Sequence, residues 1–423
     1  MTKPLAPWYR KRGYIHFDSP VSYPTAQRVV TSPKRVAKHA FFPLISYELN
    51  SFKLYRNTAG ELKKKDKLRP IAYASHLDSH IYAFYAWRLS KLYEQKLESL
   101  GLNDNVLAFR SLGKSNIEFA DKAFEDIKQR QTCSAVALDV TGFFDNLDHQ
   151  SLKQCWCELI DQSKLPADHF NVYKSLTTFA QVDKFKLYKE LDISVTNPKN
   201  GRHKVCDIND FRARVRGQKL ISVNSKTKGI PQGSPISALL SNIYMLKFDQ
   251  WAKALMNEIG GSYYRYCDDM LFIVDSDDRD DVEVNAQVEI KKLNLELNTD
   301  KTEIRNFWVA HGQQTCDRAL QYLGFTFDGQ RKLIRSAALA RFSNRMKGGV
   351  RLAKSTREKR NRLKIKVGEK PTPLYKNKLY KNYSHLGGRN FVTYGHRAAD
   401  YMKSDAIRKQ LKPLWQRLQD EMK

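Results

Sequence analysis

Ser262-Tyr-Tyr-Arg-Tyr-Cys-Asp268-Asp269-Met-Leu-Phe-Ile-Val-Asp275 reads as two short strands joined tightly at Cys267-Asp268-Asp269, which leaves two adjacent carboxylates at a hairpin tip. Upstream, Ser134-Ala-Val-Ala-Leu-Asp139-Val140 is a short apolar run suited to a buried strand, and it too ends on a carboxylate, just before Thr141-Gly142. If the two strands are neighbours, Asp139, Asp268 and Asp269 converge. Crowded carboxylates repel, so such a cluster calls for a cation, and hard oxygen donors with room for phosphates favour Mg²⁺. Two such ions, roughly 3.5–4 Å apart, would stabilise the attacking and leaving oxygens of phosphoryl transfer. Each piece alone is modest. A Tyr-x-Asp-Asp string arises by chance in a few per cent of chains of this length, and a lone Asp at a strand end is commonly a turn former or helix cap.

The surrounding sequence supplies the frame. Residues 50–57 and 62–73 flank Thr58-Ala59-Gly60-Glu61 and predict a hairpin with a basic return strand. Leu77, Ile81, Phe84, Tyr85, Leu89 and Leu92 fall at helical spacing over 76–100. A helix is expected from Asp148 or His149, and residues 151–186 read as helical; 197–218 are basic and turn-rich. Gly229–Gly233 reads as a loop, with a helix from Ser234-Pro235 to about Met256. A further helix at 279–294 and strands near 302–308 and 321–327 precede a basic helical tail. Strands and helices around one sheet, with an added helical unit, make an α+β chain.

The charge narrows the partner. The chain has 423 residues, 41% hydrophobic and 28% charged, with 73 Lys or Arg against 45 Asp or Glu, a formal charge of +28. That excess calls for a polyanion: nucleic acid first, a membrane surface second. No apolar run approaches the roughly 20 residues that cross a bilayer. The longest candidate, Ile236–Leu246, is short and carries Ser237, Ser241 and Asn242. The N-terminus lacks the apolar core of a signal peptide. The six cysteines lack paired zinc-ligand spacing, which fits free thiols in a reducing cytoplasm. From residue 331 to the end, 26 Lys or Arg stand against 6 Asp or Glu, a net +20 in 93 residues. One-signed charge at that density repels itself unless phosphates neutralise it, and the densest run is Arg357, Lys359, Arg360, Arg362, Lys364 and Lys366.

Taken in order, the motifs resemble those of bacterial and group II intron reverse transcriptases. Asp139-Val-Thr-Gly-Phe-Phe144-Asp145-Asn-Leu-Asp-His149 resembles their first catalytic motif. Gly229-Ile-Pro-Gln232-Gly-Ser-Pro-Ile-Ser237 resembles their nucleotide loop, and Tyr266-Cys-Asp268-Asp269 their catalytic hairpin. Asn298-Thr-Asp-Lys301-Thr302 and Tyr322-Leu-Gly-Phe325 resemble the two motifs that follow. Upstream, Lys67-Leu-Arg69-Pro70-Ile71 and Ala108-Phe-Arg110 resemble the finger motifs.

The resemblance implies a right-hand polymerase: residues 1–135 as N-terminal extension and fingers, 136–330 as palm (an antiparallel sheet with packed helices, 155–228 partly fingers or insertion), and 331–423 as a helical basic thumb. It implies an RNA-directed DNA polymerase using two Mg²⁺ ions, deoxynucleoside triphosphates and an RNA template to make cDNA. Asp139 and Asp268 are then direct metal ligands and Asp269 a third carboxylate. Lys301 is a candidate acid for the pyrophosphate leaving group, with a solvated lysine as the plain alternative. Lys67, Arg69 and Arg110 would serve the incoming triphosphate, although charges on an edge strand also guard it against aggregation. Gln232 would line the nucleotide pocket, or merely stabilise a turn. Phe144 would stand against the sugar and exclude a 2′-hydroxyl, while Phe143 reads as core. Tyr322, Leu323, Gly324 and Phe325 would hold the primer end, with strand packing as the rival role.

After Phe325 only 98 residues remain, enough for a thumb but not for a ribonuclease H, an integrase or a long intron-type tail. The thumb Val-Thr-Gly of retron enzymes has no counterpart beyond Val392-Thr393-Tyr394. The segment 155–228, with Cys206-Asp-Ile-Asn-Asp-Phe211, is more similar to the defence-associated unknown-group enzymes, and the size to their second class. That similarity implies a dedicated non-coding RNA template and protection against phage, with a mobile-element or retron enzyme, or a catalytically dead RNA-binding scaffold, as alternatives.

Overall fold

The computed structural model describes residues 5–56 and 61–423, without the side chains of 51–56, 62, 64, 65 and 67. The expected turn at Thr58-Ala59-Gly60 therefore lies outside the described residues, as does the side chain of Lys67.

The strand made from the apolar run is β3, Cys133–Asp139, once β1 (Leu44–Arg56) and β2 (Leu62–Tyr73) have formed their long antiparallel pair. Two further short strands, β4 (Ala180–Asp183) and β5 (Ile221–Val223), extend that pair into a sheet of order β2-β1-β4-β5. The quoted hairpin gives β6 (Ser262–Tyr266) and β7 (Asp269–Val274), followed by β8 (Glu303–Ala310) and β9 (Gln313–Cys316). These join β3 in a second sheet of order β6-β7-β3-β8-β9, antiparallel throughout. A third sheet pairs β10 (Leu320–Tyr322), β11 (Phe325–Phe327) and β12 (Lys332–Ile334).

The second sheet is buried on both faces, which is why its central strands read as near-continuous apolar runs. Successive residues of β7 alternate: Met270, Phe272 and Val274 pack with Val136 and Leu138 of β3 and the helices His76–Ser99 and Ser237–Tyr244. Leu271 and Ile273 face the opposite core, with Cys133, Ala135, the helix Asn116–Arg130 and the third sheet. A third core, built from Ile45, Val182, Leu187, Tyr188, Val205, Phe211 and Val215, supports the segment beyond β4. The long helix Ser336–Lys366 buries only Phe342, Met346 and Val350. Its last 16 residues, about 24 Å at the helical rise, carry the basic run past those anchors.

Two expected helices differ. Residues 151–186 divide into helices His149–Leu159 and Ala167–Thr177, then β4, then the helix Lys184–Glu190. Pro166 precedes the second helix, and Ala180–Asp183 find backbone partners in β1 and β5, so tertiary pairing overrides local helical periodicity. The helix expected from Ser234 starts at Ser237 and breaks at Met245 (ψ −2°) before resuming as Leu246–Glu258. No described helix is long and apolar enough to cross a membrane.

Candidate active site

Asp139 ends β3, and in the antiparallel register its partner is Asp269, the first residue of β7. Tyr266 pairs with Asp269 across β6 and β7, so only Cys267 and Asp268 form the turn. Cys267 has φ +63° at the first central position, as the primed two-residue hairpin turns require. The three carboxylates thus share one end of the sheet, Asp139 and Asp268 half-buried and Asp269 exposed. Lys301 follows Asn298, whose backbone N–H donates to the Asp139 carbonyl (2.7 Å), and its ammonium forms an ion pair with Asp139 Oδ2. Among the described residues, no group of three or more His, Cys, Asp or Glu is arranged to hold a metal ion as it stands. The donor chemistry is nevertheless that of a hard cation's site: three carboxylates, from two adjacent strands and the turn between them, are the oxygen donors such an ion prefers.

Beside these carboxylates, Gly142 (φ +52°) starts the short helix Phe143–Asn146. Phe143 is buried, while Phe144 is half-buried with its ring centroid 5.6 Å from that of Phe143. The Phe144 carbonyl accepts from Ile230 N–H (2.9 Å), which brings the 229–233 loop onto this helix. Gly229 (φ +92°) lies so close that a Cβ would meet the Asp145 carbonyl oxygen at 3.0 Å. Gly233 (φ +108°) is tighter, with the Ala72 carbonyl oxygen at 2.7 Å. A side chain at Gly233 would collide with backbone, in a region of φ that L-residues avoid.

Between the two glycines, the Gln232 carbonyl accepts from Ala72 N–H (2.8 Å), and its side chain hydrogen-bonds Asp145. Burial raises the Asp145 carboxyl above its ordinary range, and the Gln232 bond opposes the shift. Ile71 packs against Gly233, and Arg69, two residues earlier and exposed, lies on the same face of β2 about 7 Å along. The end of β2 therefore meets the 229–233 loop at Gln232 and Gly233, and that loop meets the helix that carries Phe144.

Other expected residues fall elsewhere. Arg110 is a correction. Its Nε and Nη2 donate to Glu94, Nη2 also to Asn103 Oδ1, and Nη1 to the Asn103 and Val106 carbonyls, all at 2.6–3.1 Å. All five donors are committed and the side chain is 2% exposed, so Arg110 clamps its own loop and does not reach for a triphosphate. Phe325 (0% exposed) and Tyr322 (5%) lie in the core, so packing wins for these two rings. The Tyr322 hydroxyl has no hydrogen-bond partner among the described residues. Only the turn between them, Leu323 (φ +46°) and Gly324 (φ +93°), reaches the surface, with Asn116 Nδ2 donating to the Leu323 carbonyl at 2.9 Å. In the basic run, Lys359, Arg360, Arg362 and Lys366 are exposed and Arg357 half-exposed, while Lys364 is tied to Glu369 at 2.7 Å.

Sequence reading missed Asp145 as the partner of Gln232. It also missed Arg265 and Asp249, a fully buried pair beneath the turn. A signal for Arg265 existed: it shares the buried face of β6 with Tyr263, where an arginine is out of place without a carboxylate.

Residues 62–327 match the family described as "Reverse transcriptase (RNA-dependent DNA polymerase)". Similar solved structures include apo telomerase from Candida tropicalis truncated from its C-terminal domain, at 11% identity and TM-score 0.40, covering 73% of this chain and 59% of that one. Telomerase from Candida albicans with a fragment of telomeric RNA is 12% identical with TM-score 0.41, covering 94% of this chain and 66% of that one. The chain thus spans less than two thirds of these structures' own length. No curated protein matches the chain.

Proposed function

The chain belongs to the reverse transcriptase family, and from that premise we propose that it is an RNA-directed DNA polymerase of right-hand fold that copies a dedicated non-coding RNA into cDNA for antiphage defence in the cytoplasm. The observation that carries the polymerase site is the register of Asp139 opposite Asp269 with Asp268 in the adjoining turn. These three carboxylates would hold two Mg²⁺ ions, which when bound neutralise charge on the reacting phosphate. Residues 1–135 act as extension and fingers, 136–330 as palm and 331–423 as thumb.

Within this site Arg69 draws in the triphosphate, joined by Lys67 of the same strand. Gln232, fixed by Ala72 and Asp145, lines the base and template side, and Phe144 bars a 2′-hydroxyl. Lys301 holds Asp139 and is placed to give a proton to the departing pyrophosphate. The Leu323-Gly324 turn offers its backbone to the primer end. The run from Arg357 to Lys366 binds RNA phosphates. Support for the defence role comes from the resemblance of segment 155–228, whose outer part packs with Ile15, Phe17 and Ile45 in a small core.

Sequencing the RNA and DNA that co-purify with the protein from its host tests this reading. One abundant small RNA with matching cDNA is the expected result. A random RNA population, or intron sequence flanking the gene, would refute the dedicated template.

A further inference from the structure

We propose that Arg265 is a positioning residue for the catalytic turn, tying the Cys267 carbonyl to the buried Asp249 carboxylate and so setting where Asp268 and Asp269 stand. Arg265 and Asp249, the latter from helix Leu246–Glu258, are both 0% exposed. Full burial of a guanidinium is costly unless every donor is matched. Here Nε and Nη2 grip the two Asp249 oxygens at 2.6 Å each, and the Tyr263 hydroxyl adds a bond to Asp249 at 2.8 Å. Nη1 then donates to the Cys267 carbonyl (3.0 Å) and to Asn242 Oδ1 (2.9 Å). Asn242 in turn donates to the Ala108 carbonyl at 2.9 Å. Backbone bonds from Arg265 N–H to Asn105 O (2.7 Å) and from Leu107 N–H to Arg265 O (2.9 Å) hold the same strand from its other edge.

The Cys267 carbonyl is the point that matters. It belongs to a residue at φ +63°, a conformation non-glycine residues seldom adopt, and it shares a peptide plane with Asp268 N–H. Pinning that carbonyl fixes the peptide plane that leads into Asp268. A lysine keeps the charge but carries its three donors on one nitrogen, whereas the planar fork of arginine reaches Asp249, Asn242 and Cys267 together. The inference rests on the reading of Asp139, Asp268 and Asp269 as the metal-holding carboxylates.

The test uses the full chain as wild type, Arg265→Lys, Asp249→Asn and Tyr85→Phe, with the folded fraction of each measured by circular dichroism. Tyr85→Phe removes a buried hydroxyl that donates to Asp168 in the core, so it serves as a destabilised control. Mn²⁺ binding is read by electron paramagnetic resonance, and exchange of the 262–270 amides by mass spectrometry. In Arg265→Lys we expect Mn²⁺ affinity per folded molecule to weaken at least about fivefold and turn exchange to quicken. The rate constant for dNTP incorporation should fall at least about tenfold with KM nearly unchanged. The control should lower the melting temperature alone. Wild-type Mn²⁺ affinity and kcat per folded Arg265→Lys would overturn the proposal. Should that variant not fold, Asp249→Asn decides by the same readings. In the wild type itself, turn amides that exchange as freely as an exposed loop would overturn it whatever the variants do. A wild type whose Mn²⁺ binding ignores Asp139→Asn would count against the metal-site reading instead, and the exchange result would still decide the Arg265 tie.

Discussion

The Lys301 ammonium closes on the Asp139 carboxylate at the end of β3, 162 residues away in the chain. Lys301 is 47% exposed and Asp139 15%, so the lysine can leave this partner when a phosphate arrives. If it protonates the leaving pyrophosphate, Lys301→Ala should slow the chemical step by roughly 10²-fold or more. Template affinity should stay constant. Single-turnover incorporation at saturating Mg²⁺ checks this, and an unchanged rate would reduce Lys301 to a neutralising partner.

Phe144 is the half-buried ring of the Phe143–Phe144 pair, and its carbonyl bonds to the 229–233 loop. Phe144→Val should open room for a 2′-hydroxyl and raise ribonucleotide relative to deoxyribonucleotide incorporation by an order of magnitude or more, from about 1.4 kcal/mol of relieved clash. Competition between the two substrates on one template measures the ratio. An active variant with an unchanged ratio makes Phe144 a packing residue.

His16 provides a pH dependence. It is 0% exposed, its Nδ1 accepts from Phe17 N–H (2.9 Å), and Nε2 faces the Tyr73 carbonyl (3.2 Å), beside the Asp18–His76 pair. Burial lowers its pKa to about 4. The unfolded chain therefore takes up the proton first as pH falls through about 6.5, and stability is lost between there and about 4. The full effect is up to ~3 kcal/mol. Melting temperature should drop over that window and drop less in His16→Asn; parallel curves would remove His16 as the cause.

The basic C-terminal half of helix Ser336–Lys366 predicts a salt effect. Neutralising Arg357, Lys359, Arg360, Arg362, Lys364 and Lys366 together should flatten the log–log salt slope of RNA binding by roughly 2–3 units, if about half of them touch phosphates. Filter binding across a salt series measures it. An unchanged slope means the charges only solvate the helix.

Much of this was legible in the sequence because the signals were local. The apolar run to Asp139, the Cys267-Asp268 turn and the two glycines around Gln232 each announce a backbone geometry that the fold then uses. What escaped was set by distant partners. Ala180–Asp183 became a strand because β1 and β5 flank it. Arg110 resembles a triphosphate ligand in its motif, yet Glu94 on the neighbouring helix, with Asn103 and the Val106 carbonyl, takes its donors. Phe325 and Tyr322 sit in a motif and in the core at once, and only packing separates the roles. The Arg265–Asp249 pair needed the sheet-to-helix contact before either charge made sense.

The carboxylates where β3 ends and β7 begins are the proposed polymerase centre. Primer extension on an RNA template with Mg²⁺ and dNTPs, comparing the wild type with Asp268→Ala/Asp269→Ala, tests it most directly. The double variant should fold and bind RNA like the wild type yet lose DNA synthesis altogether. DNA synthesis by the variant at the wild-type rate would mean that the catalytic carboxylates lie elsewhere.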